Sequence, residues 1–245
     1  TEIIHSGGSF LPATNLPEPM AYHCSAKINL THSIIAGNVY GSHREVYIVD
    51  TSRMPFQFTK LPPMLRQRWG CACSVIKTNT DKNDNCGSFC NQEDLQLLVV
   101  GGDFPNYKSS ELYSFSTQKW VNGPKLSRGY YYGGYVQNPY TGDLILIGGW
   151  DGSRRRDETY FINVKTNQLT IGPNLNNARS HHACGELQFN GKAYIIVTGG
   201  YNDGGLRSTE VLDKNNVGQG WQKGKNLKFF LNICLLDSIS LHFRR

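Results

Sequence analysis

This 245-residue sequence has no apolar stretch that reads as a membrane-crossing helix. Its most apolar run, near the C-terminus, has Asn232 inside it and falls well short of the roughly 20 residues a helical span needs. Charge of one sign is also scarce. The formal net charge is +6, with basic residues scattered except at Arg154-Arg155-Arg156 and Arg244-Arg245. Nucleic-acid binding calls for a basic stripe, so no nucleic-acid partner is expected. The signatures of common enzymes are missing: no Gly-x-Ser-x-Gly, no phosphate loop, no His-Glu-x-x-His and no dinucleotide fingerprint. Gly200-Tyr201-Asn202-Asp203-Gly204-Gly205 reads as a turn, since no helix pattern follows it. No segment has the form of a secretory leader. The expectation is a chain that is not an enzyme and has no cofactor and no membrane attachment.

Metal-ligand patterns are thin as well. The seven cysteines are an odd number. Cys24, Cys71 and Cys184 fall near the starts of comparable segments and are expected to be buried thiols acting as small apolar groups. Cys86 and Cys90 lie in a polar insertion, Thr78–Asp94, where a local disulfide or weak metal binding are both open. A structural zinc site needs four ligands, and no second Cys or His pair accompanies them, so no metal is expected. His181-His182 cannot chelate one ion from a regular strand, because neighbouring side chains on a strand point to opposite faces. One glycosylation sequon, Asn29-Leu30-Thr31, is present.

What the sequence does contain is repetition. The runs SIIAGNVYGSHREVYIVD, LLVVGGDFPNYKSSELYSF, ILIGGWDGSRRRDETYFI and IIVTGGYNDGGLRSTEVLD share an order: apolar strand, glycine doublet, polar loop, second strand. The doublets are read at Ala36-Gly37, Gly101-Gly102, Gly148-Gly149 and Gly199-Gly200. About ten residues past each stands an acid beside an apolar or aromatic pair, at Glu45, Glu111, Glu158 and Glu210. A bulky residue follows, Phe58, Trp120, Leu169 or Trp221, and then a Gly or Pro, a Leu and an Arg (Arg66, Arg128, Arg179) in three of the copies. Self-similarity on this scale marks an array of supersecondary units.

Each unit reads as four strands. A strand of small residues (Cys71–Lys77, Tyr131–Gln137, Ala183–Phe189) leads to a continuous apolar strand (Gln96–Val100, Leu144–Ile147, Ala193–Thr198) of the kind that is buried on both faces. The doublet ends it, where backbone without Cβ permits a sharp turn or a close neighbour. A third strand (Glu111–Phe115, Thr159–Val164) and an outer strand with the bulky residue complete the unit. Aromatics at 11% and 26 glycines suit many short strands and tight turns. Such sheets bury both faces only by stacking radially.

The order of doublet, Tyr and Trp resembles the kelch repeat over nearly all of Thr1–Leu227. The resemblance implies an all-β, kelch-type propeller of four-stranded antiparallel blades, four complete with partial terminal blades. The expected propeller covers residues 1–228, with a blade fragment at 1–18 and repeats at about 19–62, 63–125, 126–174 and 175–228. Residues 229–245 follow no repeat pattern. Phe229–Leu235 and Ser238–Phe243 either supply closing strands for a fifth blade, or form a foreign tail on a fragment of a larger propeller.

Function on such a scaffold is expected in surface loops. Two loop sets should open on one face. One follows the doublets (Asn38–Arg44, Asp103–Lys108, Trp150–Arg156, Tyr201–Arg207), and the other leads into the first strands. In kelch substrate receptors these two places ring the pore and hold a peptide of the partner. By resemblance, the partner-binding residues are Asn38, Asp103, Trp150 and Tyr201 from the first set, with Arg68, Trp69, Tyr130, Tyr131, Ser180 and His181 from the second. Arg154 and Arg155 join them because the Arg run does not recur, which suits an acidic partner loop. Trp, Tyr and Arg are the residue types that dominate binding hot spots. Arg66, Arg128 and Arg179 do recur and are expected to brace blades against Glu111, Glu158 and Glu210; Trp120 and Trp221 are expected to pack between blades.

The resemblance therefore implies a protein-binding module, such as the recognition part of a cullin-type ubiquitin ligase adaptor, whose BTB and BACK domains are not in this sequence. Alternatives are an actin-associated scaffold or a fragment of a propeller-based copper-radical oxidase. The compartment is read as cytoplasmic, with secretion as the alternative.

Overall fold

The computed structural model describes residues 2–4, 10–12, 15–77, 95–138 apart from 104 and 106, and 143–227 apart from 164, 165 and 167. The expectations for the Cys86/Cys90 insertion and for the tail at 229–245 lie outside these residues. The strands are β1 (Glu2–Ile4), β2 (Phe10–Pro12), β3 (Cys24–Lys27), β4 (His32–Ala36), β5 (Val46–Asp50), β6 (Gln57–Lys60), β7 (Ala72–Lys77), β8 (Leu95–Val100) and β9 (Ser110–Ser114). They continue with β10 (Lys119–Asn122), β11 (Gly134–Gln137), β12 (Leu144–Ile147), β13 (Thr159–Asn163), β14 (Gln168–Ile171), β15 (Ala183–Phe189), β16 (Lys192–Thr198), β17 (Thr209–Asp213) and β18 (Gln222–Lys223). β1 and β2 pair antiparallel as a separate two-stranded sheet.

The other sixteen strands form four antiparallel sheets, β3 to β6, β7 to β10, β11 to β14 and β15 to β18, each in chain order. They are arranged as a four-blade β-propeller. The first strand of each blade is innermost, and β3 packs on β7, β7 on β11 and β11 on β15. Burial is least in the outermost strands. Leu97–Val100 and Leu144–Ile147 are buried at every position, which accounts for their unbroken apolar sequence. Outer strands β6, β10 and β14 bury one residue in part or whole, Phe58, Trp120 and Leu169, and expose the rest. Trp120 reaches back to the preceding blade, donating its indole N–H to the Pro62 carbonyl at 2.8 Å. Trp221 does the same to the Pro173 carbonyl at 3.1 Å.

At the axis, Tyr135 on β11 crosses to the opposite blade, where its hydroxyl donates to the Ser25 carbonyl (2.8 Å) and accepts from the Ser25 N–H (2.7 Å). The cysteine expectation needs correction. Cys24 is not a free thiol but is disulfide-bonded to Cys73, with a Cα separation of 5.7 Å. Cys24 opens β3, Cys71 precedes β7 and Cys184 is second in β15, so the three are not equivalent. The bond forms because β3 and β7 lie side by side at the crowded centre, a proximity that residue spacing does not reveal. Cys71 and Cys184 are buried, as expected, and burial pushes the Cys71 thiol up to about 11.

Candidate functional site

The blades are joined at one end of the axis by a repeating braid of backbone hydrogen bonds. The first glycine of each doublet donates its N–H to the start of the third strand: Gly37 to Glu45, Gly101 to Ser109, Gly148 to Glu158 and Gly199 to Ser208. The next residue donates to the following blade, Asn38 to Arg68, Gly102 to Tyr130 and Gly149 to Arg179. The first doublet is therefore Gly37-Asn38, one residue later than the expected Ala36-Gly37. Glycine is required where the neighbouring carbonyl presses close: a Cβ on Gly148, at φ +58°, would lie 2.7 Å from the Arg179 oxygen. A second course of the braid lies two residues before each first strand. Gly70 N–H donates to the Tyr22 carbonyl (2.6 Å), Tyr132 to Gly70 (2.9 Å) and His181 to Tyr132 (2.7 Å).

These four equivalent positions have left-handed backbone, with φ of +57° at Tyr22, +60° at Gly70, +51° at Tyr132 and +54° at His181. Ring-bearing residues are uncommon in that region, and strained backbone gathers at functional places. Here it tips three rings together over the axis. Tyr22 and Tyr132 meet edge to face at 4.9 Å, and Tyr132 lies 4.0 Å from His181. Tyr131 extends the cluster, 3.7 Å from Tyr132 and stacked on Tyr107 at 4.9 Å. Trp69 donates its indole N–H to the Tyr131 hydroxyl, and His43 lies 5.2 Å from Trp69. Burial, with Tyr132 beside it, raises the Tyr131 phenol above its ordinary value. Burial and the nearby Arg155 lower the His181 pKa, so its ring is neutral at pH 7.

Alongside lies a second group. Trp150 is bridged to Tyr131 and Tyr201 to Ser180 by backbone pairs, which sets the loops after the last two doublets against the aromatic cluster. The Arg155 guanidinium sits 5.0 Å from the Trp150 ring centre and 4.6 Å from that of Tyr201. Its Nη1 donates to Asp203 at 3.0 Å.

Six of the twelve expected residues thus share one face, Trp69, Tyr131, Trp150, Arg155, His181 and Tyr201, while Arg154 is exposed in the neighbouring loop. Five others are turned inward. Arg68 is fully buried, donating through Nη2 to Glu111 (2.9 Å) and Ser109 Oγ (2.6 Å). Asp103 is 4% exposed, accepts from the Ser109 N–H and lies 3.6 Å from Arg68. Asn38 is fully buried, accepting from Ala21 and Tyr40 N–H and donating to the Pro19 carbonyl. Tyr130 donates its hydroxyl to the Gly134 carbonyl, and Ser180, 2% exposed, faces His181 Nδ1 at 3.1 Å. The correction has one cause: a loop entering a blade alternates between rim and core, so neighbours in sequence part company. Asn38, expected to open the loop, instead fills the second-glycine position. Tyr22, Tyr132, Tyr107 and His43 lie within the expected loops but were not among the expected binding residues; a bulky residue two positions before three of the first strands is the available signal.

The expected Arg179–Glu210 brace is present, while the other two are reassigned. Glu111 accepts from Leu65 N–H (2.6 Å), Arg66 N–H (3.0 Å) and the Arg68 guanidinium, so Arg68 pairs with it while Arg66 contributes its backbone. Glu210 repeats the arrangement with Asn176 and Asn177 N–H and Arg179 at 2.7 Å. In the third blade Arg156 takes the pairing with Glu158, and Arg128 stays 53% exposed at 3.9 Å.

Among the described residues, no three His, Cys, Asp or Glu side chains are grouped to hold a metal ion, and no helix is long and apolar enough to cross a membrane. His182 is fully buried beside this face and accepts the Gly134 N–H at Nε2 (3.0 Å), so it is a neutral structural ring. No family model matches the sequence, and no curated protein matches it. A solved structure with a similar fold is that of YjhT, which superposes with a TM-score of 0.64 at 15% identity, covering 89% of this chain and 68% of that one. At that identity the likeness speaks for the fold alone.

Proposed function

We propose that this chain is a kelch-type propeller acting as a non-enzymatic binding module, which takes a peptide or loop of a partner protein on its aromatic face. The observation that carries the reading is the convergence of Tyr22, Tyr132 and His181 from three blades onto one point, flanked by Trp69, Tyr131, Trp150 and Tyr201. Trp and Tyr offer large, stiff apolar area with a polar edge, so a partner gains contact without much side-chain ordering. The braid fixes these residues to four blades at once, which preorganises the surface. The kelch assignment is supported by the left-handed glycines at four equivalent positions and by Trp120 and Trp221 between blades. A role in ubiquitin ligase recognition is one form the module could take and rests on the resemblance alone. The buried Cys24–Cys73 disulfide favours an oxidising compartment over the cytoplasm.

The test is selection from a displayed random-peptide library on the immobilised protein, in parallel with Tyr22→Gly plus Trp150→Ala. Gly70 already occupies the position equivalent to Tyr22, so the first change leaves the backbone at ease. Peptides retained by the wild type and lost by the double variant are the expected result. Equal retention, or none, refutes the reading.

A further inference from the structure

We propose that Arg155 anchors an acid-reading subsite on this face, where Asp203 holds the place of a ligand carboxylate and the partner segment carries an aspartate or glutamate. The inference rests on the binding reading above and adds the chemistry of the contact.

Three observations converge on Arg155. Its guanidinium is gripped between two rings from different blades, Trp150 at 5.0 Å and Tyr201 at 4.6 Å. Two flanking aromatic faces fix the plane of the guanidinium fork, and a fixed fork suits paired hydrogen bonds to a carboxylate. The side chain is 23% exposed, so it is largely desolvated yet open to the surface. Its Nε is buried and has no hydrogen-bond partner among the described residues. An unmet buried donor on a cation is costly, and Asp203 meets only Nη1, so the guanidinium keeps hydrogen-bonding capacity that this pair does not fill.

Asp203 occupies the subsite only in part. One carboxylate oxygen meets Nη1 at 3.0 Å, while the Asp203 side chain is 89% exposed. Exposed ion pairs contribute little, so a ligand carboxylate that is better desolvated can displace it. The neighbouring charges fit the same reading. Asp151 is engaged by Ser153, the Arg154 N–H and Arg156, and Arg156 is itself buried against Glu158. His181 is neutral. What faces solvent is Arg154, Arg155 and the readily displaced Asp203, which leaves an excess of positive charge on an otherwise aromatic surface.

The experiment repeats the random-peptide selection on wild type, Asp203→Asn and Arg155→Gln, with folding checked by unfolding midpoints. Asn tolerates the left-handed backbone at position 203, where φ is +53°, so the Asp203→Asn protein keeps its loop. Peptides selected by the wild type should be enriched in Asp or Glu, more strongly on Asp203→Asn, and not on Arg155→Gln. The leading acidic peptide should bind the wild type roughly tenfold tighter than its Asn/Gln isostere, with the gap narrowing in high salt. Peptides selected without acid enrichment, or enrichment that survives Arg155→Gln, overturn this inference and leave the binding reading standing. Weaker acidic binding on Asp203→Asn also overturns it. Failure to select any peptide on wild type and Asp203→Asn alike defeats both.

Discussion

Replacing Arg68 by Met should remove a large part of the protein's stability. Arg68 and Glu111 are both 0% exposed, and the guanidinium serves Glu111 (2.9 Å), the Gly101 and Ser109 carbonyls and the Ser109 hydroxyl at once. Met fills most of the volume but supplies no donor. Glu111 keeps the Leu65 and Arg66 amides at 2.6 and 3.0 Å and loses its countercharge, and two carbonyls lose a partner. Stranding one member of a buried pair costs about 3–5 kcal/mol. Domains are stable by roughly 5–15 kcal/mol, so the loss is large. With a urea m-value of roughly 2 kcal/mol/M, the unfolding midpoint should drop by about 2 M at unchanged m. Arg128→Met is the control: that side chain is 53% exposed and 3.9 Å from Glu158, so its removal should cost less than about 1 kcal/mol. Adding Glu111→Leu to Arg68→Met should restore only part of the loss, since the Leu65 and Arg66 amides then go unmet. If Arg68→Met costs no more than Arg128→Met, the braid is not held by this pair and the reasoning fails.

Further outcomes can be checked alongside. Reducing Cys24–Cys73, which closes a loop with a sequence separation of 49, should lower stability by about 4 kcal/mol on the chain-entropy account; thiol titration confirms reduction, and an unchanged melt contradicts the linkage. His182 is held down from 6.5 to about 3 by burial, then by Arg179 and His181. Its folded pKa is below its unfolded one, so the unfolded chain takes up the proton first and stability drops as pH falls from about 6.5 towards 3, by roughly 1.4 kcal/mol per pH unit. His182→Gln should flatten that slope, and a stability curve level across the window speaks against the buried neutral ring. Gly70→Ala should destabilise the aromatic face, because the added Cβ at φ +60° would stand 2.6 Å from the Tyr132 ring; near-ultraviolet circular dichroism reads the change, and an unaltered spectrum rejects it.

Much of the architecture is written locally. The runs LLVV and LILI are apolar at every position, as suits a strand covered on both faces, so the inner layers are legible in the sequence. The doublets and the bulky residues of the outer strands also follow from the backbone and from blade packing, and both recur in sequence. The alternation of rim and core within the loops was not legible. Arg68 and Trp69 are adjacent, yet one is sealed against Glu111 and the other joins the surface rings. Nor could the sequence tell Arg66 from Arg68, or place an Arg after the doublet in the third blade, where Arg156 rather than Arg128 pairs with Glu158.

What the sequence determined by itself is the repeat, the four-strand unit and the side of each strand that is covered, because periodicity and glycine placement act through neighbours along the chain. What only the tertiary structure decided is the site. Tyr22, Tyr132 and His181 come from three separate blades, and Arg155 meets Asp203 across 48 residues. The same holds for Cys24 and Cys73. Such meetings depend on how closely the blades approach at the axis, a property of their packing that no single segment encodes.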